Sequence, residues 1–286
     1  MSICIYHGNC ADGFGAAWAV RKALGDIEFH PGVYQQPPPD VTGKDVVMVD
    51  FSYKRPVLLE LAAKANSILI LDHHKTAIED LVDLPTNVTT VFDMNRSGAR
   101  ITWDHFFPDE PPPMLILHIE DRDLWRFALK NTREIQANVF SYPYDFQVWD
   151  ELMAANVETL AIEGRAIERK HFKDINELLG VVTRPMVIGG FNVQVANLPY
   201  IHSSDAGHQL AEGHPFGACY WDTPEGRVFS LRSTDAGVDV GEIAKQYGGG
   251  GHRNASGFKV SFAEAQAFEV LHTTGDQIGR TSSRPE

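Results

Sequence analysis

Along the first half of the chain, short apolar runs alternate with segments whose apolar positions recur every three or four residues. Residues 3–6, 46–50, 67–71 and 88–92 are of strand length, and 67–71 reads Ser-Ile-Leu-Ile-Leu. Residues 13–24, 55–65 and 97–107 carry the helical period. The first of these is rich in Ala, the second begins near Pro56, and the third has Ser97 as its N-cap. Strands alternating with helices, and apolar on both faces, predict a parallel sheet covered on both sides.

The proline-rich stretch 108–113 breaks this pattern, and 114–120 opens another helix that ends near Asp121. A mostly helical region continues to about Gly180, with 158–179 its longest periodic segment. Beyond it the period shortens: a hairpin over 186–198 turns at Gly189-Gly190, and strands 216–221 and 227–232 turn at Pro224-Glu225-Gly226. A helix over 240–247, a strand over 258–260 and a helix over 263–272 follow, and the polar tail from Gly275 is expected to fray. The fold class is therefore α/β. An N-terminal doubly wound, mainly parallel sheet (residues 1–180, connector included) is joined by a helical connector to a smaller C-terminal α/β domain with a mixed sheet (181–286).

At 286 residues each part is long enough to bury its own core. No apolar run approaches the roughly 20 residues of a membrane span, and the opening Met1-Ser2-Ile3-Cys4 lacks the basic flank of a signal peptide. Three scattered cysteines do not suggest a disulfide framework, so a reduced, cytoplasmic protein is expected. The net charge of −13, with Lys and Arg dispersed, argues against a partner held along its backbone, such as duplex DNA. An acidic enzyme can still gather positive charge, metal included, in one cleft.

Four acidic or imidazole clusters fall at the ends of predicted elements. His7, Cys10 and Asp12 follow the first strand, with Gly13 permitting a tight turn; Asp50 closes the second strand run. The triplet Asp72-His73-His74 follows a buried strand, and Asp121-Arg122-Asp123 follows a helix. Taken singly, Asp50 reads as a turn former, His7 as a loop histidine and Asp121 with Asp123 as a helix cap. Taken together at one sheet edge, carboxylates and neutral imidazoles would repel without a cation, and mixed O/N ligation suits Mn²⁺ or a similar divalent ion. The run GGGGHRNASG, from Gly248 to Gly257, has the composition of a loop whose amides close around an anion. His252 and Arg253 would strengthen that grip, and Arg232 is either a second cation or half of a surface ion pair.

With these motifs in this order, the chain resembles the DHH phosphoesterase superfamily with its DHH-associated C-terminal domain, over almost its whole length. Asp72-His73-His74 is the name-giving triplet, and GGGGHRNASG is similar to the family's glycine-rich substrate motif. The resemblance implies a DHH catalytic domain, a substrate-binding domain and a two-metal site. In it Asp50 bridges both ions, Asp12, His73 and Asp121 complete one shell, and His7 with Cys10 serves the other. It further implies that His74 faces the substrate phosphate and that Gly249, Gly250, Gly251, His252, Arg253 and Arg232 bind the rest of the substrate. Asp72 and Asp123 are counted with His74 among the catalytic candidates, His74 or Asp123 assisting proton transfer. Many members carry Asp where this chain has Cys10. A thiolate there would favour softer ions such as Zn²⁺, and a thiol would leave that site completed by water.

The function expected is divalent-metal-dependent hydrolysis of phosphodiester or phosphomonoester bonds, with two Mn²⁺ ions (or Mg²⁺, Co²⁺ or Zn²⁺). The expected partner is a short single-stranded oligonucleotide or small nucleotide, with no membrane and no duplex DNA, in a chain that could form a homodimer. Pyrophosphate or polyphosphate hydrolysis at the same metals is one alternative. A nucleotide-binding regulator with weakened catalysis, motivated by Cys10, is the other.

Overall fold

The computed structural model describes residues 1–8, 10–34 and 36–268 and divides the chain into two compact units, Met1–Glu177 and Leu178–Glu286. The first contains β1 (Ser2–His7), α1 (Ala11–Leu24), β2 (Glu28–Gly32), β3 (Asp45–Val49), α2 (Arg55–Ala62), β4 (Ser67–Asp72), α3 (Lys75–Asp80) and β5 (Val88–Phe92). It continues with α4 (Gly98–Phe106), α5 (Met114–Asp123), α6 (Thr132–Val139), α7 (Phe146–Ala154) and α8 (Val157–Val182), which runs into the second unit.

The five strands form one sheet in the order β2-β1-β3-β4-β5, every neighbour parallel. Alternation along each strand divides its side chains between two cores. Cys4, Val47, Val49 and Leu71 pack with residues of α1, α4 and α5 on one face. Ile3, Ile5, Val46, Met48, Ile68 and Ile70 pack with Leu58 and Leu61 of α2 on the other. A sheet so covered needs apolar residues at every position, which is why the strands read as unbroken runs. The sheet is thus doubly wound, as the patterning predicts. Edge strand β2 (Glu-Phe-His-Pro-Gly) is absent from the expected strands, because Pro31 and two polar residues erase the signal; an edge tolerates both.

The second unit contains β6 (Thr183–Ile188), β7 (Phe191–Asn197), α9 (Ser203–Ala211), β8 (Gly217–Thr223) and β9 (Gly226–Arg232). After these come α10 (Val240–Lys245), β10 (Gly250–Gly251), β11 (Ala255–Val260) and α11 (Phe262–Ala265). Its sheet runs β10-β11-β9-β8-β7-β6, with only β7 and β8 parallel among the described pairs. That parallel pair requires a crossover, which α9 supplies. Met186, Val193, Ala218, Phe229 and Phe258 bury one face against Ile243 of α10 and Phe268. The expected helix over 263–272 is observed as far as Phe268; its remainder and the tail from Gly275 lie outside the described residues. Among the described residues no helix is long and apolar enough to cross a membrane.

Candidate metal centre

The strand order of the first sheet reverses between β1 and β3. In open α/β sheets the crevice beyond the strands' carboxyl ends at such a point is where ligands bind. His7 ends β1, Asp12 lies in the first turn of α1, Asp50 follows β3, and Asp72-His73-His74 follow β4 at that same edge. Close approach is enforced by two absent side chains. A Cβ on Gly13 would sit 2.3 Å from the His7 carbonyl oxygen, and one on Gly98 would sit 2.4 Å from Asp50 Cβ. Asp50 itself adopts a left-handed backbone (φ 53°), a conformation Asp tolerates better than most residues.

Around His73 the carboxylates converge. Its Nε2 lies 3.0 Å from Asp50 Oδ1, 3.7 Å from Asp12 Oδ2 and 3.6 Å from Asp123 Oδ2. His7 Nδ1 lies 3.3 Å from the other oxygen of Asp50. His74 Nδ1 is 2.7 Å from Asp72 Oδ1, which also accepts the backbone N–H groups of His73 and His74. Asp72 Oδ2 is buried without a hydrogen-bond partner among the described residues. Asp12 is oriented by the start of α4: Gly98 N and Ala99 N donate to its two oxygens at 2.6 and 3.0 Å. Helix N-terminal amides favour a carboxylate held there.

Asp12, Asp50, Asp72 and His73 are all essentially inaccessible to solvent. Burial and the neighbouring charges of Asp50 and Asp123 push Asp12 well above the usual carboxylate range. Burial likewise raises Asp123, with Asp50 adding repulsion and His73 opposing it. Burial would raise Asp50 too, yet its hydrogen bonds with His7 and His73 hold it well below. Burial disfavours the charged form of His73, but Asp50, Asp123 and Asp12 together raise it to about 10. The crowded carboxylates thus favour the protonated form of both His7 and His73.

Within the first unit, two sets of three ligand atoms, each mutually within 4.8 Å, could hold a metal ion: Asp12, Asp50 and His73 in one, His7, Asp50 and His74 in the other. Oxygen and imidazole nitrogen in both suit a borderline divalent cation, and the two share Asp50.

One expected ligand falls elsewhere, and a second stands beside the cluster but outside both ligand sets. Asp121 turns away: its carboxylate accepts from Ala128 N, Leu129 N and Thr132 Oγ1 at 2.8, 3.1 and 2.6 Å. Residues two apart on a helix point about 200° apart, so Asp121 and Asp123 cannot both face one cluster. Asp123, at the end of α5, is the one beside His73. Cys10 belongs to neither ligand set; its thiol bonds to His7, and burial raises its pKa, which keeps it protonated.

In the second unit the glycine run is a tight hairpin rather than an open cradle. Gly250 and Gly251 of β10 pair with Gly257 and Ser256 of β11. The amides of Gly248, Gly249 and His252 donate to the carbonyls of Lys245, Ala244 and Ala255. A Cβ on Gly249 would sit 2.1 Å from the Gly257 carbonyl oxygen, so backbone packing demands glycine there. Arg253 donates to Asn254 Oδ1 and to the Gly237 carbonyl at 2.9 and 3.0 Å. Arg232, half-buried at the end of β9, donates to Ser230 Oγ and the Leu231 carbonyl, with Ser204 Oγ 3.4 Å away.

Sequence reasoning missed Gly98 and Tyr34. Gly98 carries a recoverable signal, a glycine directly after a helix N-cap. Tyr34 lies beyond the unexpected strand β2, and its ring meets those of His7 and His74 at centroid distances of 5.6 and 6.3 Å. Burial, and then the charges of Asp72 and Asp50, hold its hydroxyl well above the usual range.

No family model matches the chain. RecJ of Thermus thermophilus, solved in complex with Mn²⁺, aligns with a TM-score of 0.52 and 14% identity, over 93% of this chain and 50% of RecJ. A pGpG-specific phosphodiesterase of Vibrio cholerae, PggH, aligns at 0.47 and 15% identity, over 93% and 95% of the two chains. The alignment with RecJ shows that the α/β fold is shared with that protein. By sequence, the chain belongs to the family of an uncharacterized protein of Acanthamoeba polyphaga mimivirus, R106, which is 33% identical over 287 residues, 91% of this chain and 68% of the viral one.

Proposed function

We propose that the chain is a divalent-metal-dependent phosphoesterase acting on short oligonucleotides or small nucleotides. The observation that carries this reading is the sharing of Asp50 between two ligand sets at the β1/β3 switch point. Asp12, His73 and Asp123 with Asp50 would hold one ion, and His7 and His74 with Asp50 the other. Two such ions would lower the pKa of a bound water and neutralise the oxygens of the phosphoryl group in line with it. The Mn²⁺ of RecJ supports that ion as the first to try.

The chain's own residues set the geometry. Asp72 fixes the orientation of the His74 ring through Nδ1, as a carboxylate behind a ligating imidazole does. The first turn of α4 fixes both oxygens of Asp12. Residues 1–180 are assigned as the catalytic domain and 181–286 as the substrate domain, within which Arg232, His252 and Arg253 are assigned to anion contact. Solvent exclusion leaves the charges of Asp12, Asp50 and His73, with His7 and Asp123 beside them, unscreened by water.

An activity panel tests the reading: di- to pentanucleotides, cyclic dinucleotides, 3′-phosphoadenosine phosphate and pyrophosphate, each with Mn²⁺, Mg²⁺, Co²⁺ or Zn²⁺. Mn²⁺-stimulated release of mononucleotide, lost in Asp50→Asn, is expected. Turnover of pyrophosphate alone would move the assignment to a pyrophosphatase. Nucleotide binding with no metal-stimulated turnover would make it a binding protein.

A further inference from the structure

Tyr34 follows strand β2 by two residues, yet its ring stands against the metal centre. The ends of β1 and β2 are pinned by the bond from Gly8 N to the Gly32 carbonyl, 2.9 Å. Gly32 leaves room for Phe51, whose ring would meet a Cβ there at 2.7 Å. Phe51, fully buried, in turn backs Tyr34 at a centroid distance of 4.9 Å. The Tyr34 ring meets His7 edge-on at 64° and His74 at 77°, and the residue remains 44% exposed. An aromatic ring braced by a buried phenylalanine, set against an imidazole from each end of the second ligand set, in a residue 44% exposed, is a wall of the site. A core aromatic would not keep that exposure, and a free surface tyrosine would not have three ring neighbours.

We propose that Tyr34 is the surface on which the base of a bound nucleotide stacks, and that it gives the site its preference for nucleotides over base-free phosphates. A phosphate bound beside His7 and His74 leaves its base one sugar away, within reach of this ring. Stacking is tolerant of base identity because every base offers a π face, so selection would act on the presence of a base rather than on its sequence. Inorganic pyrophosphate gains nothing from such a wall. The inference rests on the phosphoesterase reading for the position of the phosphate, but its test does not require turnover.

The test compares 5′-AMP with ribose 5-phosphate, titrated calorimetrically into the Mn²⁺-loaded protein and its Tyr34→Phe and Tyr34→Ala variants. Wild type and Tyr34→Phe are expected to prefer AMP by about tenfold or more, the scale of one base stack. Tyr34→Ala is expected to bind the two alike, with Mn²⁺ affinity unchanged. A preference that survives Tyr34→Ala, or is absent in wild type, overturns the proposal. So does a parallel loss of Mn²⁺ affinity, which would make Tyr34 a prop for His7. An AMP preference in a protein without phosphoesterase turnover would sink the proposed function while leaving Tyr34 as the stacking wall.

Discussion

The acidic cluster of the first unit and the glycine hairpin of the second both read in the sequence as chemical sites, and they solve opposite problems. At the cluster, carboxylates are crowded around His73 at 3.0 to 3.7 Å. At the hairpin, the amides of Gly248, Gly249 and His252 already have carbonyl partners, and Arg253 already has two acceptors. A site whose polar groups satisfy one another holds a shape. One whose charges are crowded is suited to a cation from outside, and the ligand sets around Asp50 could hold one.

The largest test removes the shared ligand. Asp50→Asn is expected to abolish Mn²⁺-stimulated turnover and to weaken metal binding by more than the roughly 10–100-fold typical of an outer-shell partner. The fold should persist, because Asn also tolerates the left-handed backbone at this position. Turnover within tenfold of wild type would break the contrast between the two regions at its root.

The proton balance gives the next effect. His73 holds its proton to about 10 in the metal-free protein but must be neutral to ligate. Metal affinity should therefore rise by about tenfold per pH unit up to that value, with release of at least one proton measurable by calorimetry in buffers of different ionisation heat. The sign for stability is opposite. A raised imidazole pKa stabilises the metal-free fold fully below about pH 6.5, and that contribution is lost as pH rises through about 10. Affinity independent of pH between about 6.5 and 9 would mean that His73 is no ligand.

A smaller effect separates two neighbours in sequence. Asp123→Asn should remove metal binding while leaving the metal-free protein no less stable, since one of several crowded charges is gone. Asp121→Asn should do the reverse. It cannot accept from Ala128 N, Leu129 N and Thr132 Oγ1 as the carboxylate does, so it should cost about 1–3 kcal/mol. Thermal unfolding and metal titration of the two variants check both halves, and identical behaviour would erase the distinction between ligand and anchor.

Much of this is legible in the sequence, for identifiable reasons. Buried parallel strands such as β4 announce themselves by unbroken apolar runs, and residues at their carboxyl ends converge by the rules of sheet topology. Asp12, Asp50 and the Asp72-His73-His74 triplet are recognisable that way. Direction within an element is harder to read. Asp121 and Asp123 differ by two helical positions, and only the helical period, carried through to the last turn of α5, separates them. Tyr34 depends on β2, whose Pro31 hides it. The glycine run reads as a set of free amides because composition shows donors but not the strand beside them.

The finest test of the comparison lies within the hairpin itself. Gly248 and Gly249 are adjacent but constrained differently. Gly248 has φ 77° with no atom within 4 Å of its missing Cβ, so its glycine serves backbone conformation alone. Gly249 faces the Gly257 carbonyl oxygen at 2.1 Å and Phe258 Cβ at 2.6 Å, so its glycine serves the approach of β11. Gly248→Ala should cost about 1–2 kcal/mol, the penalty of a left-handed alanine. Gly249→Ala must displace a strand and should cost at least as much, up to about 3 kcal/mol. Neither should change Mn²⁺ affinity, because every proposed ligand lies in the first unit. If Gly249→Ala were neutral in thermal unfolding yet weakened nucleotide binding, the hairpin would after all present its amides to a ligand, and the contrast between the two regions would narrow to one of degree.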